Sequence, residues 1–238
     1  MIRDIVYQIS VFGDFTSIKP SDETVKSMIA KLSDHGLLPS VFQEQSFTIS
    51  ADPAMTTTPE IANRLQMMSI EKNINVMFAR NRIDLSKSVT DSNIGTDDLN
   101  VLLDVLDKAT SGLPFTRLAF NTTSLLDAPK DFLLQKMQPR LTFFNEPTEL
   151  MLRVNKQTPI AINEDLNENS NVILLAQKTM GQLLINNSPI SVDDGLILQF
   201  DINTLPEISD PRFFSAHAKG YVLGAEQVRQ SLLTELLS

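Results

Sequence analysis

IRDIVYQISVFGDF, residues 2–15, decides how the chain is read. Ile5, Tyr7, Ile9 and Val11 fall on one side of an extended segment, and Val6, Gln8, Ser10 and Phe12 on the other. A period of two predicts a strand with one buried face. Lys19-Pro20-Ser21 interrupts it. Ser21 is a suitable N-cap, and Asp22 and Glu23 suit the positive end of a helix. Val25, Met28, Ile29 and Leu32 supply the helical stripe, and His35-Gly36 closes it, with Gly36 free to turn left-handed.

Working outward, residues 40–50, 63–70, 75–80 and 82–85 read as extended segments, with turns at Glu71-Lys72-Asn73-Ile74 and Arg80-Asn81. Ala51 to Pro59 is a polar connection. A second helix is predicted over 97–111, capped by Thr96, with Leu99, Leu102, Leu103 and Leu106 as its buried stripe. Gly112 and Pro114 end it. The order then restarts. FTRLAFNTTSL (115–125) alternates as a strand, 129–137 reads as a short helix, and 140–144, 149–154, 171–177, 182–185 and 196–202 as strands. A closing helix is predicted over 211–237, capped by Asp210 with Pro211 at its first position. The expectation is an α+β fold of two structurally similar halves, 1–113 and 114–238, each a mainly antiparallel sheet with covering helices.

Composition narrows the chemistry. The 238 residues are 42% hydrophobic and 21% charged, enough apolar material for a sizeable core. Cysteine is absent, which removes disulfides, thiolate metal sites and cysteine nucleophiles. The start of the chain lacks the apolar run of a signal peptide and no stretch is apolar enough to span a membrane, so the reading is cytoplasmic without a membrane partner. Asp plus Glu number 29 against 20 Lys plus Arg, a net charge of −9 that disfavours broad phosphate-backbone binding.

No catalytic motif stands out. His35 and His217 are the two histidines, and each reads as structural: His35 at a helix end, His217 inside the closing helix. Asp97-Asp98 is explained by helix capping, Glu164-Asp165 by an acidic loop over 162–170, and Asp193-Asp194-Gly195 by a hairpin turn. Eight glycines leave no phosphate-cradling loop motif. No Glu-x-Lys follows an acidic strand residue as a metal-dependent nuclease requires, so neither metal nor cofactor is expected.

Two regions remain as candidates for contact with a partner. Arg64, Arg80 and Arg82, with Lys72 and Lys87, recur along the middle strands and converge if those strands are neighbours. On the closing helix, Gly220 and Gly224 share a face beside Tyr221, and Leu232, Leu233, Leu236 and Leu237 end the chain in an apolar cluster. The candidate partner-binding set is therefore Arg64, Arg80, Arg82, Tyr221, Gly224, Leu232 and Leu236.

The opening Asp4-Ile5-Val6-Tyr7-Gln8-Ile9 strand, and the closing Phe200-Asp201-Ile202-Asn203-Thr204 before a Pro-initiated long helix, give the chain an architecture that resembles an uncharacterised, sporadically distributed bacterial protein family of about this length. The resemblance covers most of the chain and brings no catalytic residue with it. Its patchy distribution implies an accessory system, such as defence against phage, in which small subunits pair with ATPases or nucleases. The functional expectation is a non-enzymatic protein-interaction subunit that binds a protein partner or a second copy as a homodimer. The alternatives are a nucleic-acid-binding module using the Arg64/Arg80/Arg82 region, or a hydrolase with a carboxylate site near Glu149 and Arg153.

Overall fold

The computed structural model describes residues 2–46, 60–71, 73–89, 95–127, 132, 150–185, 188–207 and 210–238. The strands are β1 (Ile2–Phe12), β2 (Leu37–Ser46), β3 (Glu60–Ser69), β4 (Ile74–Phe78), β5 (Arg82–Ser88), β6 (Arg117–Leu126), β7 (Met151–Ala161), β8 (Asn167–Ile185) and β9 (Ser188–Thr204). The helices are α1 (Asp22–Leu32), α2 (Gly95–Thr110) and α3 (Ser215–Leu237), and a 3-10 turn, Ser33–His35, follows α1. All nine strands join one antiparallel sheet in the order β2-β3-β4-β5-β1-β6-β9-β8-β7. The β1/β6 pair sits at its middle, so the sheet runs unbroken across residues 113 and 114.

The alternation of β1 sets the two faces. Tyr7, Ile9 and Val11 are buried beneath the helices with Leu65, Met67, Val76, Phe78, Ile83, Leu85 and Phe120. From the helix side, Met28 and Leu32 of α1, Leu99, Leu102, Val105 and Leu106 of α2, and Ala218, Tyr221, Val222 and Ala225 of α3 close the same core. The opposite face is polar: Ser10 donates to Asp84 at 2.6 Å, Gln66 to Asn75 at 2.8 Å and Asn203 to Asp201 at 2.9 Å.

Local signals held where their partners are local. Ser21 accepts from the Thr24 amide at 3.3 Å as N-cap of α1, and Gly36 takes φ 62° after the helix. Ile29 departs from the expected stripe and stays 40% exposed. Two expectations are corrected. The closing helix starts at Ser215, not 211, because Phe115 and Phe213 form an antiparallel bridge that holds the preceding segment extended. Asp193-Asp194-Gly195 is not a hairpin turn but lies within β9, where the register slips between Thr179–Gly195 and Gly181–Val192, a β-bulge. The acidic loop is shorter than 162–170, since β8 begins at Asn167, and Ile162 is buried. The expected helix over 129–137 and strand over 140–144 lie outside the described residues, apart from residue 132.

A buried ion cluster pins α3 to the middle of the sheet. Asp4 pairs with Ser124 and Val6 with Thr123, so Ile5 is an extra residue that swings Asp4 onto the helix-covered face. Arg229, fully buried, grips the Asp4 carboxylate through Nη1 and Nη2 at 2.9 and 3.0 Å. It holds Glu226 through Nε and Nη2 at 2.7 and 2.8 Å, and donates to Ser124 from Nη1 at 3.3 Å. Every guanidinium donor is thereby used. The Ser124 and Tyr7 hydroxyls donate to Asp4 at 2.6 and 2.5 Å. Burial by itself would raise the Asp4 carboxyl, but the hydrogen bonds and charge of Arg229, with Ser124 and Tyr7, outweigh it and hold the group below the ordinary carboxylate range. Burial, then the adjacent Asp4 charge, drives the Tyr7 hydroxyl the other way, far above its usual range.

Arg229→Ala strands two carboxylates against apolar surface and is expected to cost about 3–5 kcal/mol in urea unfolding; a loss below about 1 kcal/mol would show the cluster to be incidental. Because the folded Asp4 is more acidic than the unfolded one, its contribution is fully present above about pH 4 and is lost as pH falls through the folded value. Unfolding free energy followed from neutral to acid pH is expected to fall less steeply in Asp4→Asn than in the parent.

Candidate functional site

The candidate residues of α3 are placed inside the chain's own packing. Tyr221 is fully buried, and its hydroxyl donates to Ser170 of β8 at 3.0 Å. Burial pushes that phenol well above its usual range. Gly220 and Gly224 lie flat against the turn that ends β7: a Cβ on Gly220 would meet the Ile162 carbonyl at 2.0 Å, and one on Gly224 the Ala161 carbonyl at 2.3 Å. The small-residue face therefore permits close approach to the chain itself. Leu232 and Leu236 are half-buried, and with buried Leu233 they pack on Leu126, Ala176, Leu198 and Phe200.

The middle-strand arginines separate into two places. Arg64 of β3 and Arg80 of the β4–β5 turn line one cleft of about 710 Å³, with Thr16, Ser17 and Lys19 from the β1–α1 loop and Glu60, Ala62 and Asn63 from β3. Chain crossing brings them together: the Phe15 amide donates to the Arg80 carbonyl at 2.9 Å and the Gly13 amide to the Asn81 carbonyl at 3.1 Å. Glu44 of β2 organises the floor. It accepts from buried Arg64 Nε at 2.7 Å, and both its oxygens accept from the Arg80 backbone amide at 3.1 Å. The Arg80 side chain reaches Glu60 at 3.4 Å, a pair more than half exposed on both sides. Asp14 fixes the loop by accepting from the Thr16 amide and hydroxyl at 3.0 and 2.7 Å.

Arg82 is not part of that cleft. It pairs with Asp84 at 2.8 Å on the polar face, beside Phe12 in the register. Lys87 is buried on the helix side against Asp98 of α2 at 3.0 Å, which makes it a clamp for α2. Lys72 and Glu149 lie outside the described residues, and Arg153 is exposed on β7. The basic positions thus do not form one patch.

The two outermost strands differ in chemistry. β7 exposes Met151 and Val154 but also Arg153, Lys156 and Pro159, and β-proteins use such charges and prolines to discourage edge pairing. β2 carries Pro39 near its start and Glu44 near its end, and it exposes branched apolar side chains on either side of Pro39. Leu38 is 55% exposed, Val41 56%, and Ile61 on adjacent β3 55%. Among the described residues no strand pairs beyond β2.

Each histidine has a partner within the fold. His35 Nε2 lies 2.8 Å from Asp104, which also pairs with Lys108 at 2.9 Å. His217 Nδ1 accepts the Phe214 amide at 3.2 Å at the start of α3. Lys219 ties α3 to Asp107 of α2 at 3.0 Å. Among the described residues no three histidine or carboxylate side chains converge to hold a metal ion, and no helix is long and apolar enough to cross a membrane.

Lys19, Glu44, Leu38, Val41 and Ile61 are the residues that sequence reading passed over. The apolar ones carried a signal in Leu37-Leu38 and Val41-Phe42, paired apolar residues in a segment where strict alternation predicts one polar partner. Glu44→Gln is expected to lower thermal and urea stability by about 1–3 kcal/mol, because it removes the charge that compensates buried Arg64; unchanged melting would disprove that role. No family model and no curated protein matches this chain, so geometry alone carries the reading of the site.

Proposed function

We propose that the chain is a non-enzymatic interaction subunit that takes an extended segment of a partner polypeptide along β2. The observation that carries this is an outer strand of ten residues, Leu37–Ser46, with no further strand paired to it among the described residues and with Leu38 and Val41 each more than half exposed. An added strand would pair with the free backbone of β2 and cover Val41 and Ile61 on one side and Leu38 on the other. Both edges expose apolar side chains, and the two cations of β7, Arg153 and Lys156, support β2 as the docking side. The terminal leucines support the edge over α3, since Leu232, Leu233 and Leu236 already pack on β6, β8 and β9.

The sheet order supports reading the chain as two similar α+β halves, 1–113 and 114–238. In each, the first strand pairs with the last, β1 with β5 and β6 with β9, and the remaining strands run outward in reverse order. On this reading the docking edge is the outermost strand of the first half. The partner is a second protein or a second copy of this chain, in keeping with a cytoplasmic subunit. The nucleic-acid reading has less support, because Arg82 lies apart from Arg64 and Arg80 and is paired with Asp84 on the opposite face of the sheet.

Hydrogen exchange tests the edge directly. Peptides selected from an extended-strand library, or concentration alone if the partner is a second copy, are expected to protect the β2 amides. Val41→Lys is expected to weaken that binding by about tenfold or more while changing folding stability by less than about 0.5 kcal/mol. Protection confined to other surfaces would refute the assignment.

A further inference from the structure

We propose that the cleft between the β1–α1 loop, β3 and the β4–β5 turn is a binding site for the terminal phosphate of a small phosphorylated metabolite. The site is separate from the β2 edge and does not depend on that reading. Among the described residues its lining holds three cations, Lys19, Arg64 and Arg80, and one carboxylate, Glu60, with Glu44 beneath the floor and Asp14, which feels the Arg80 charge, on the adjoining loop. The three positive charges are matched by three negative ones, in a chain whose net charge is −9. An anion that is repelled by the molecule as a whole therefore meets a locally neutral cleft with three cations to contact.

The three cations differ in how firmly they are committed. Arg64 has a side chain only 7% exposed, and it gives Nε to Glu44 at 2.7 Å. Among the described residues no hydrogen bond is made by its two Nη groups, which form the planar edge suited to two phosphate oxygens. The Glu44 charge is already shared between Arg64 and the Arg80 backbone amide, so Arg64 is held in place without being used up. Arg80 is held by Glu60 at 3.4 Å in an exposed pair, the kind that solvent screens to a small net energy and a ligand replaces readily. Lys19 makes no ion pair among the described residues, and Ser17 adds an exposed hydroxyl at the rim.

Shape fits a small ligand. A volume of about 710 Å³ suits a phosphorylated sugar or nucleotide. Among the described residues no aromatic side chain lines the cleft to stack a succession of bases. The arrangement binds and orients a phosphoryl group; no side chain in it is placed as nucleophile or base toward one.

Calorimetric titration with inorganic phosphate and with glycerol 3-phosphate tests the proposal. Both are expected to bind saturably, and Lys19→Ala with Arg80→Ala is expected to weaken them by about tenfold or more. Both side chains are solvent-exposed, so the variant is expected to keep the parent melting behaviour. Arg64→Lys, which retains charge but loses the planar edge, is expected to weaken glycerol 3-phosphate as well. Val41→Lys is expected to leave phosphate affinity unchanged, which separates this site from the β2 edge. Absence of saturable binding, or equal affinity in parent and double variant, would overturn the site. A 5′-phosphorylated oligonucleotide is expected to bind no more tightly than glycerol 3-phosphate; affinity that grows with oligonucleotide length would overturn the small-ligand assignment.

Discussion

The grip of Arg229 on Asp4 is the contact that joins the last helix to the first strand, across a sequence separation of 225. A guanidinium in an apolar core is tolerable only when all its donors are taken. Here two carboxylates and a serine hydroxyl take them, and a tyrosine hydroxyl completes the Asp4 shell. The bulge at Ile5 is part of the same constraint, because an unbulged β1 would turn Asp4 to the opposite face. Such a cluster adds geometric specificity more than net energy: it selects one rotation and one height of α3 over the sheet.

That placement decides what the rest of α3 can do. With Arg229 fixed, Tyr221 lies over Ser170, the two glycines lie against the end of β7, and the terminal leucines cover the end of β6 and the middle of β8 and β9. The small-residue face and most of the terminal leucines of the helix that looked most available for a partner are used by the fold, while Leu223 and Leu237 stay about half exposed. Leu38 and Val41 stay more than half exposed at the far end of the sheet, on β2, where no further strand pairs among the described residues. The Arg64/Arg80 cleft lies beside that edge, built where the β1–α1 loop crosses the β4–β5 turn.

Much of the fold was legible because its signals are local. The alternation of β1, the Ser21 cap, the left-handed Gly36 and the leucine stripe of α2 each depend on neighbours a few residues away. The start of α3 was misplaced because Asp210-Pro211 carries a helix-start signature, while the Phe115–Phe213 bridge is a contact between distant segments. Asp193-Asp194-Gly195 misled for a related reason: the backbone freedom that suits a turn also suits a bulge, and only the pairing of β8 with β9 distinguishes them. The candidate site was legible only in fragments. Arg64 and Arg80 were visible as basic residues, but Glu44 and Lys19 become relevant only once β2 and the β1–α1 loop lie beside them.

The sequence by itself determined the α+β class, the antiparallel character of the strands, the ends of α1 and the absence of thiol chemistry. These follow from periodicity, capping and composition, which act over a turn or two of chain. Tertiary structure alone decided the strand order, which strands lie outermost, which arginines share a cleft and which leucines remain exposed. Those outcomes turn on which distant side chains are desolvated together, and a buried charge such as Arg229 can be satisfied only by partners that the whole fold delivers to it.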